Sequence, residues 1–318
     1  MGKHQKELWL RGTWLGLAIR LQGSVLPEVL PRAIFCGVLG EAIFLIHHFY
    51  ARLSLPFLSS LIPNLVLGLL LVFRTNTAYE RFWEGRKAWG SLVNCLRNLG
   101  RMVLVAVAEP TPEDRRYKER ALRLLPAFAI AMKRFLRGQP IAAEIEPFLQ
   151  PWQYHQLQTI NHPPLKIAYW ISHYLHQEHH QGRLDRYQLA IMQELMGVAV
   201  DALGACERIK KTPIPLAYSI HLKQLLLIYC LTLPFQIVDQ VRWGTGLIVA
   251  IISFTLLGIE EIGVQIEDPF GHDPNDLPLD HICQTIARNL EDLIITTSPA
   301  HLPSMDGDGS NSPELASG

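Results

Sequence analysis

The sequence is poor in charged residues, and this shortage narrows the kind of protein it can encode. Asp, Glu, Lys and Arg make up 18% of the 318 residues, against roughly 25% in a typical soluble domain. The 29 basic and 29 acidic residues cancel, so no excess of positive charge points to nucleic acid. A hydrophobic fraction of 49% and a mean hydropathy of +0.14 suit a chain that is partly membrane-embedded and partly soluble.

The motifs of enzymes and metal sites are also missing. The five cysteines are scattered without a Cys-x-x-Cys pair, which argues against a zinc ribbon or a disulfide framework. No Gly-rich phosphate loop, no cofactor motif and no Ser, His and Asp in catalytic order occur, so we predict that the protein is not an enzyme and requires no cofactor. The densest histidine cluster is His173, His176, His179 and His180. Its members 173, 176 and 180 share one helix face and could hold a metal, although surface histidines are commoner.

Four apolar runs are present, and each is near the roughly 20 residues that a membrane-spanning helix needs. They cover residues 33–50, 53–73, 214–238 and 243–259. Short loops join the first two and the last two, which predicts two helical hairpins. Lys and Arg are concentrated before the first run and around the long middle segment, so both termini and that segment should lie on the cytoplasmic or stromal side.

These features predict an all-α integral membrane protein with four transmembrane helices and a large helical cytosolic domain. The predicted parts are an N-terminal amphipathic or interfacial segment (1–32), a transmembrane hairpin (33–73), the helical cytosolic domain (74–213), a second hairpin (214–263), an acidic cytosolic segment with a helix (264–297), and a disordered tail (298–318). The lipid bilayer is therefore an expected partner. Glu41, the one acid inside the first run, should pair, for example with Lys223, or face water.

The second apolar run continues without a helix breaker into a segment rich in Arg, Glu and aromatic residues. Ile62, Val66 and Leu70 are four residues apart, so they share one face of this helix. If several subunits surrounded an axis with this face, stacked apolar rings would form, and such a constriction can gate by dewetting. Leu65, Leu69 and Phe73 form a neighbouring stripe and are the alternative set. An apolar stripe that faces lipid or packs on protein is the simpler interpretation.

An acidic block follows the fourth run. Its aspartates, Asp268, Asp273, Asp276 and Asp280, stand among prolines and a glycine. Several carboxylates on a turning backbone are what Ca²⁺ prefers. Helix capping and salt bridges to nearby basic residues would explain the same composition.

Two blocks of this sequence carry a resemblance to a known family. Residues 73–87, Phe-Arg-Thr-Asn-Thr-Ala-Tyr-Glu-Arg-Phe-Trp-Glu-Gly-Arg-Lys, resemble the signature of bacterial bestrophin-type channels. Residues 267–280, which contain Pro-Phe-Gly and the aspartates, resemble the Pro-Phe-Gly and acidic run of animal bestrophins. The two blocks have the order and spacing of that family.

The resemblance implies a homopentameric ion channel with a central pore. It implies an apolar neck on the second span, here at Ile62, Val66 and Leu70, and a cytosolic aperture near Ala190. The calcium site of animal bestrophins would correspond to Gln265, Asp268, Asp273 and Asp276, although His272, Pro274 and Asn275 interrupt the acidic run.

The function expected from this resemblance is passive conduction of chloride or other small anions, with bicarbonate among the candidates. Selectivity for Na⁺ or K⁺ is the alternative, because bacterial members need not share the anion preference of animal ones. A secondary transporter is a further alternative, which would require an inverted repeat with broken helices. The plasma (inner) membrane and the thylakoid membrane are the two expected locations.

Overall fold

The computed structural model describes residues 16, 20–21, 23–50, 52–55 and 61–297, and its regular elements there are all helices. In chain order they are α1 (Leu26–Phe49), α2 (Leu61–Ala106), α3 (Pro112–Leu136), the 3-10 helix η1 (Ala143–Phe148), α4 (Pro151–Thr159), α5 (Pro163–His180), α6 (Arg186–Lys211), α7 (Leu216–Val241), the 3-10 helix η2 (Arg242–Gly244), α8 (Thr245–Glu267) and α9 (Leu279–Thr296). The predicted all-α class is confirmed. The predicted tail, 298–318, and most of the N-terminal segment lie outside the described residues.

Three segments of the described chain are long and apolar enough to cross a membrane. They are Leu26–Phe49, Arg186–Lys211 and Leu216–Glu267, the last of which contains both α7 and α8. The first and last overlap three of the four predicted runs. Arg186–Lys211 is α6, which the sequence placed in the cytosolic domain, and the apolar start of α2 does not meet the same criterion. The number of four spans therefore stays a prediction.

Helix α2 is 46 residues long and passes without interruption from its apolar half into its charged half. The absence of a break between Phe73 and Arg74 was predicted because no Pro or Gly lies at the junction. Helix α1 begins at Leu26, earlier than the apolar run at Ala33. The hydroxyl of Ser24 accepts a hydrogen bond from the Leu26 N–H at 3.1 Å, and Pro27 suits the first turn, so the polar start of the helix is stabilised locally.

The chain forms two compact units. The first comprises residues up to Ser91 together with Leu136–Gln139 and Asp201–His281. One cluster in its core joins α1, α7 and α8 through Cys36, Cys230, Leu233 and Val249. A second joins α2 and α7 through Leu67, Leu71, Leu222 and Leu226. Helices α7 and α8 thus pack against both α1 and α2.

Helices α1 and α8 approach closely because glycines lie at their contact. A Cβ atom placed on Gly37 would come within 2.9 Å of the Ala250 Cβ and 3.0 Å of the Gly246 carbonyl. Glu41 Oε2 accepts a hydrogen bond from the Gly246 N–H at 3.3 Å, near the start of α8, so the intramembrane acid has a backbone partner there. Small residues that let two backbones approach are typical of helix packing in membranes. Lys223 lies 3.8 Å from Glu260.

The second unit comprises Leu92–Phe135, Pro140–Val200 and residues from Ile282 onward. Leu92, Leu96 and Leu99 of α2 and Phe128 of α3 are fully buried in its core. Buried charges in this unit are paired. The Lys118 ammonium lies 3.0 Å from Glu109 Oε2 and donates to the Leu104 carbonyl at 3.1 Å, which compensates for its removal from water.

Candidate functional site

The apolar half of α2 has one face in the core and one face exposed. Leu67, Leu71, Arg74 and Ala78 are buried at intervals of four, three and four residues, so they mark the inner face. The opposite face is apolar and exposed over three turns, with Ile62, Leu65, Val66, Leu69, Val72 and Phe73 uncovered. A continuous exposed apolar stripe of this size requires lipid, another subunit or a dehydrated pore against it.

The two predicted neck stripes differ in how far their side chains are buried in the first unit. Ile62 and Val66 are exposed, whereas Leu70 is half-buried and packs against the cluster that contains Leu67 and Leu222. The Leu70 carbonyl also accepts a hydrogen bond from the Tyr218 hydroxyl at 2.9 Å. All three members of the alternative stripe, Leu65, Leu69 and Phe73, are exposed.

Where the apolar half of α2 meets its charged half, a buried arginine pairs with the last residue of α8. Arg74 Nη2 lies 2.6 Å from Glu267 Oε2, and the Arg74 side chain is buried. Glu267 Oε1 accepts a hydrogen bond from the Ile214 N–H at 3.1 Å. One carboxylate therefore connects α2, the segment that leads into α7, and the last residue of α8.

A second arginine, Arg81, lies two turns further along the same face of α2 and donates hydrogen bonds to the ends of other helices. The Arg81 guanidinium donates to the Glu267 carbonyl at 3.1 Å and the Ile209 carbonyl at 2.7 Å, and it also donates to the Thr212 carbonyl. Carbonyls in the last turn of a helix lack intrahelical partners, so these bonds stabilise the ends of α6 and α8. The sequence did not predict the partners of Arg74 and Arg81, since its Lys and Arg residues were used only to orient the chain in the membrane.

The Pro-Phe-Gly turn packs against α2. Phe270 is fully buried, and a Cβ atom placed on Gly85 would come within 3.1 Å of its ring and 3.2 Å of Pro269. Arg137 Nε donates to the Phe270 carbonyl at 3.2 Å. A side chain at position 85 would require the Phe270 ring or Pro269 to shift by a few tenths of an ångström, so glycine suits this close contact. This contact brings the two sequence blocks, residues 73–87 and 267–280, together within the first unit.

The four residues of the predicted calcium site lie along the same turn, but most of their oxygens have protein donors. Asp268 Oδ2 lies 2.8 Å from Lys210 Nζ, and Asp268 Oδ1 accepts from the Phe270 N–H at 3.3 Å. Gln265 Oε1 accepts from the Asn275 amide at 2.9 Å. Asp276 Oδ2 accepts from the Asp273 N–H at 2.7 Å. Of the side-chain oxygens in this predicted site, Asp276 Oδ1 is the one that is buried without a hydrogen-bond partner among the described residues.

Asp276 also differs from its neighbours in acidity. Burial raises its pKa from 3.8 to about 6, and repulsion from Asp273 and Asp268 acts in the same direction. The backbone hydrogen bond from Asp273 and the charge of Arg137 oppose this rise. A carboxyl group with this pKa holds its proton into the mildly acidic range, which is unfavourable for a cation ligand.

Two of the predicted calcium ligands, Gln265 and Asp268, are engaged by other side chains of the turn and of α6. Within the described chain, no three His, Cys, Asp or Glu residues are disposed to hold a metal ion. Calcium needs six to eight oxygen ligands, and here Lys210 already supplies a positive charge to Asp268. The described histidines of the cluster on α5 are likewise not disposed to hold a metal ion, and His179 Nδ1 lies 2.8 Å from the Leu184 carbonyl. Calcium binding at Gln265, Asp268, Asp273 and Asp276 stays a prediction.

The residue predicted for a cytosolic aperture lies on an exposed face of α6. Ala190 is exposed, and the bulkier Tyr187 and Ile191 are exposed beside it. A ring of alanines would be wide, so the neighbouring side chains would determine the diameter of any constriction at this position. The aperture near Ala190 stays a prediction, and the sequence did not indicate that Tyr187 is exposed beside it.

Comparison with known proteins extends over nearly the whole chain. Residues 6–292 match the family model described as Bacterial/Fungal Bestrophin protein. A voltage-dependent anion channel-forming protein of Synechocystis sp. is 54% identical over 281 residues, covering 88% of this chain and 92% of the relative. A protein of the same description from Escherichia coli K12 is 31% identical, with 87% and 90% covered. A crystal structure of a bacterial bestrophin homolog from Klebsiella pneumoniae is similar with a TM-score of 0.76 and 27% identity, covering 84% of this chain and 99% of that one.

Proposed function

Because this chain belongs to the bacterial and fungal bestrophin family, we propose that it is an integral membrane channel that conducts small anions passively. Members of this family are ion channels rather than enzymes. The observation that carries the proposal is the similarity, over 88% of this chain, to relatives named as anion channel-forming proteins. The exposed apolar stripe of α2 agrees with it, because a monomer in water would not leave such a surface uncovered.

The proposed assembly is a homopentamer with four spans per subunit and α2 nearest the central axis. The exposed face of α2 suits this arrangement, since it is directed away from the cluster formed with α7. We propose that both termini lie on the cytoplasmic or stromal side, which the distribution of Lys and Arg favours. The plasma membrane and the thylakoid membrane remain the two proposed locations, and fractionation of cells with a tagged chain would distinguish them.

The proposed neck consists of Ile62, Val66 and Leu70 from each subunit. Ile62 and Val66 are exposed as this role requires, and Leu70 would contribute from a half-buried position. The alternative neck is Leu65, Leu69 and Phe73, all of which are exposed. An apolar constriction controls whether the pore is hydrated and gives little discrimination by charge. A second constriction is proposed near Ala190, with Tyr187 beside it.

The test of this function is the reversal potential of the purified protein in a planar bilayer under a KCl gradient. A value at the chloride equilibrium potential would support the anion channel. A value at the potassium potential would support a cation-selective member of the family. A saturable flux coupled to a second solute, without unitary currents, would support a secondary transporter and contradict the channel.

Conduction is proposed to need no Ca²⁺. An ion pair between Lys210 and Asp268 and a hydrogen bond from the Asn275 amide to Gln265 stabilise the turn without a metal ion. Addition of Ca²⁺ after a chelator should therefore leave the current unchanged. A current that disappears in the chelator and returns with Ca²⁺ would contradict this and support the ligand set predicted from the resemblance.

A further inference from the structure

The second unit contains a cavity of about 370 Å³ that the proposed conduction path does not use. Its walls come from α3, from the end of η1 and the residues after it, from α4 and from α5. All of these residues belong to one compact unit. The volume is within the range of small-molecule sites, for which about 300–1,000 Å³ is usual.

Aromatic rings form much of the lining. Trp152 and Trp170 are in edge-to-face contact with ring centroids 5.5 Å apart, and Tyr117 and Tyr174 are in a similar contact at 5.2 Å. Trp152 is 59% exposed, so part of this surface is accessible from solvent. Aromatic faces of this kind favour flat, unsaturated ligands, because rings can stack or meet edge to face with them.

The charge of the lining is positive. Arg120 and Arg123 lie three residues apart on α3 and both line the cavity, whereas no Asp or Glu does. Arg123 Nη2 is 3.4 Å from Glu291 Oε1. Arg120 is exposed and has no ion pair or hydrogen bond within the part of the chain that the structure describes. Its guanidinium is therefore available to an anion, for which it offers two parallel donors.

A buried hydroxyl in the same lining lacks a partner. Tyr174 is 4% exposed, and its hydroxyl oxygen makes no hydrogen bond with any described residue. Burial raises the pKa of Tyr174 well above its usual range, so the group stays a neutral donor. Buried polar groups are nearly always hydrogen-bonded in proteins. By contrast, the Tyr117 hydroxyl donates to Gln177 Oε1 at 2.6 Å.

From these features we propose that the cavity is a binding site for a small planar organic anion, such as an aromatic carboxylate. Arg120 binds the carboxylate, Trp152 and Trp170 contact the ring, and the side chain of Tyr174 forms part of the wall. An inorganic anion would satisfy the arginine but would leave the aromatic walls without a role. The two arginines of the lining repel organic cations, which aromatic walls alone would accept.

The experiment is calorimetric titration of the purified full-length protein with 2-naphthoate, a two-ring carboxylate. Saturable binding is expected in the wild type. Arg120→Gln should weaken it about tenfold or more, since a charge-assisted hydrogen bond is lost. The matched control is Arg116→Gln, because Arg116 is exposed on the same helix but does not line the cavity. 2-Naphthalenemethanol, which has the same rings without the charge, should bind much more weakly than 2-naphthoate.

A second variant separates binding from folding. Trp152→Leu shortens a side chain that is 59% exposed and lines the cavity, so the ligand-free protein should unfold at about the same temperature. The same variant should bind 2-naphthoate severalfold more weakly. Equal affinity in Arg120→Gln and Arg116→Gln, or no saturable binding by the wild type, would overturn the proposal. Neither result depends on a current, so the channel function is tested separately.

Discussion

Arg74 in α2 and Glu267 at the end of α8 are 193 residues apart in the chain, yet their side chains form an ion pair with an Nη2–Oε2 distance of 2.6 Å. The Arg74 side chain is 2% exposed. The Glu267 carboxylate also accepts a hydrogen bond from the Ile214 N–H, and the Glu267 backbone carbonyl accepts one from Arg81. Glu267, the first residue of the acidic block, therefore links α2 to the end of α8 and to the segment that leads into α7.

Replacing one partner of this pair should be costly. Arg74→Gln leaves the Glu267 carboxylate without its buried counter-charge, and loss of one partner from a buried pair destabilises proteins by about 3–5 kcal/mol. The expected result is a marked decrease in the unfolding temperature of the purified protein. Arg86→Gln is the matched control, since Arg86 is exposed on the same helix. Equal melting temperatures for the two variants would show that the pair does not stabilise the junction.

The sequence predicted those features that depend on neighbouring residues. The uninterrupted helix across Phe73 and Arg74 follows from the absence of Pro and Gly at that junction, and the all-α class was predicted as well. The family followed from two local blocks. The contact between Gly85 and Phe270 was not foreseen, because it joins those blocks through space.

Features that depend on distant partners could not be predicted. Arg74 could have paired with any of the acids near the membrane boundary, and nothing local selects Glu267. Leu70 has the spacing of a neck residue, but its burial is determined by Leu222 in α7. The cavity lined by Arg120 and Trp152 combines four elements, none of which carries a recognisable ligand motif by itself.

The close contact of α1 and α8 should tolerate no added atoms. Gly37→Ala would place a methyl group 2.9 Å from the Ala250 Cβ and 3.0 Å from a backbone carbonyl. Overpacking of this kind costs about 1–3 kcal/mol, and thermal unfolding in detergent should detect it. Gly258→Ala is the control, because a Cβ atom at that position of α8 meets no atom within 4 Å. A variant at Gly37 that is as stable as the control would contradict this packing.

Asp276 should make stability depend on pH in the mildly acidic range. Its pKa is raised from 3.8 to about 6 by burial, so the folded state binds the proton more tightly than the unfolded state. The free energy of unfolding should therefore decrease as pH rises from about 4 to about 6 and should lose no more through this group at higher pH. Asp276→Asn should remove that decrease, whereas Asp201→Asn, at an exposed position of α6, should retain it. Melting curves between pH 4 and 7 would show which occurs, and an unchanged slope in Asp276→Asn would refute the assignment.

The proposed neck can be tested with two sets of substitutions on one helix. Ile62→Ala with Val66→Ala shortens two exposed side chains, so it should widen an apolar constriction and raise the unitary conductance severalfold with little loss of stability. Leu70→Ala should in addition lower the unfolding temperature, because Leu70 packs against the cluster of Leu67 and Leu222.

The alternative stripe supplies the matched control. Leu65→Ala with Leu69→Ala also shortens two exposed side chains of α2, one turn apart. If Ile62 and Val66 line the neck, this second pair leaves the conductance unchanged. A conductance that rises only in the second pair would move the neck to Leu65, Leu69 and Phe73, with the channel itself intact. Single-channel recordings of both pairs in the same bilayer thus determine which face of α2 surrounds the ion path.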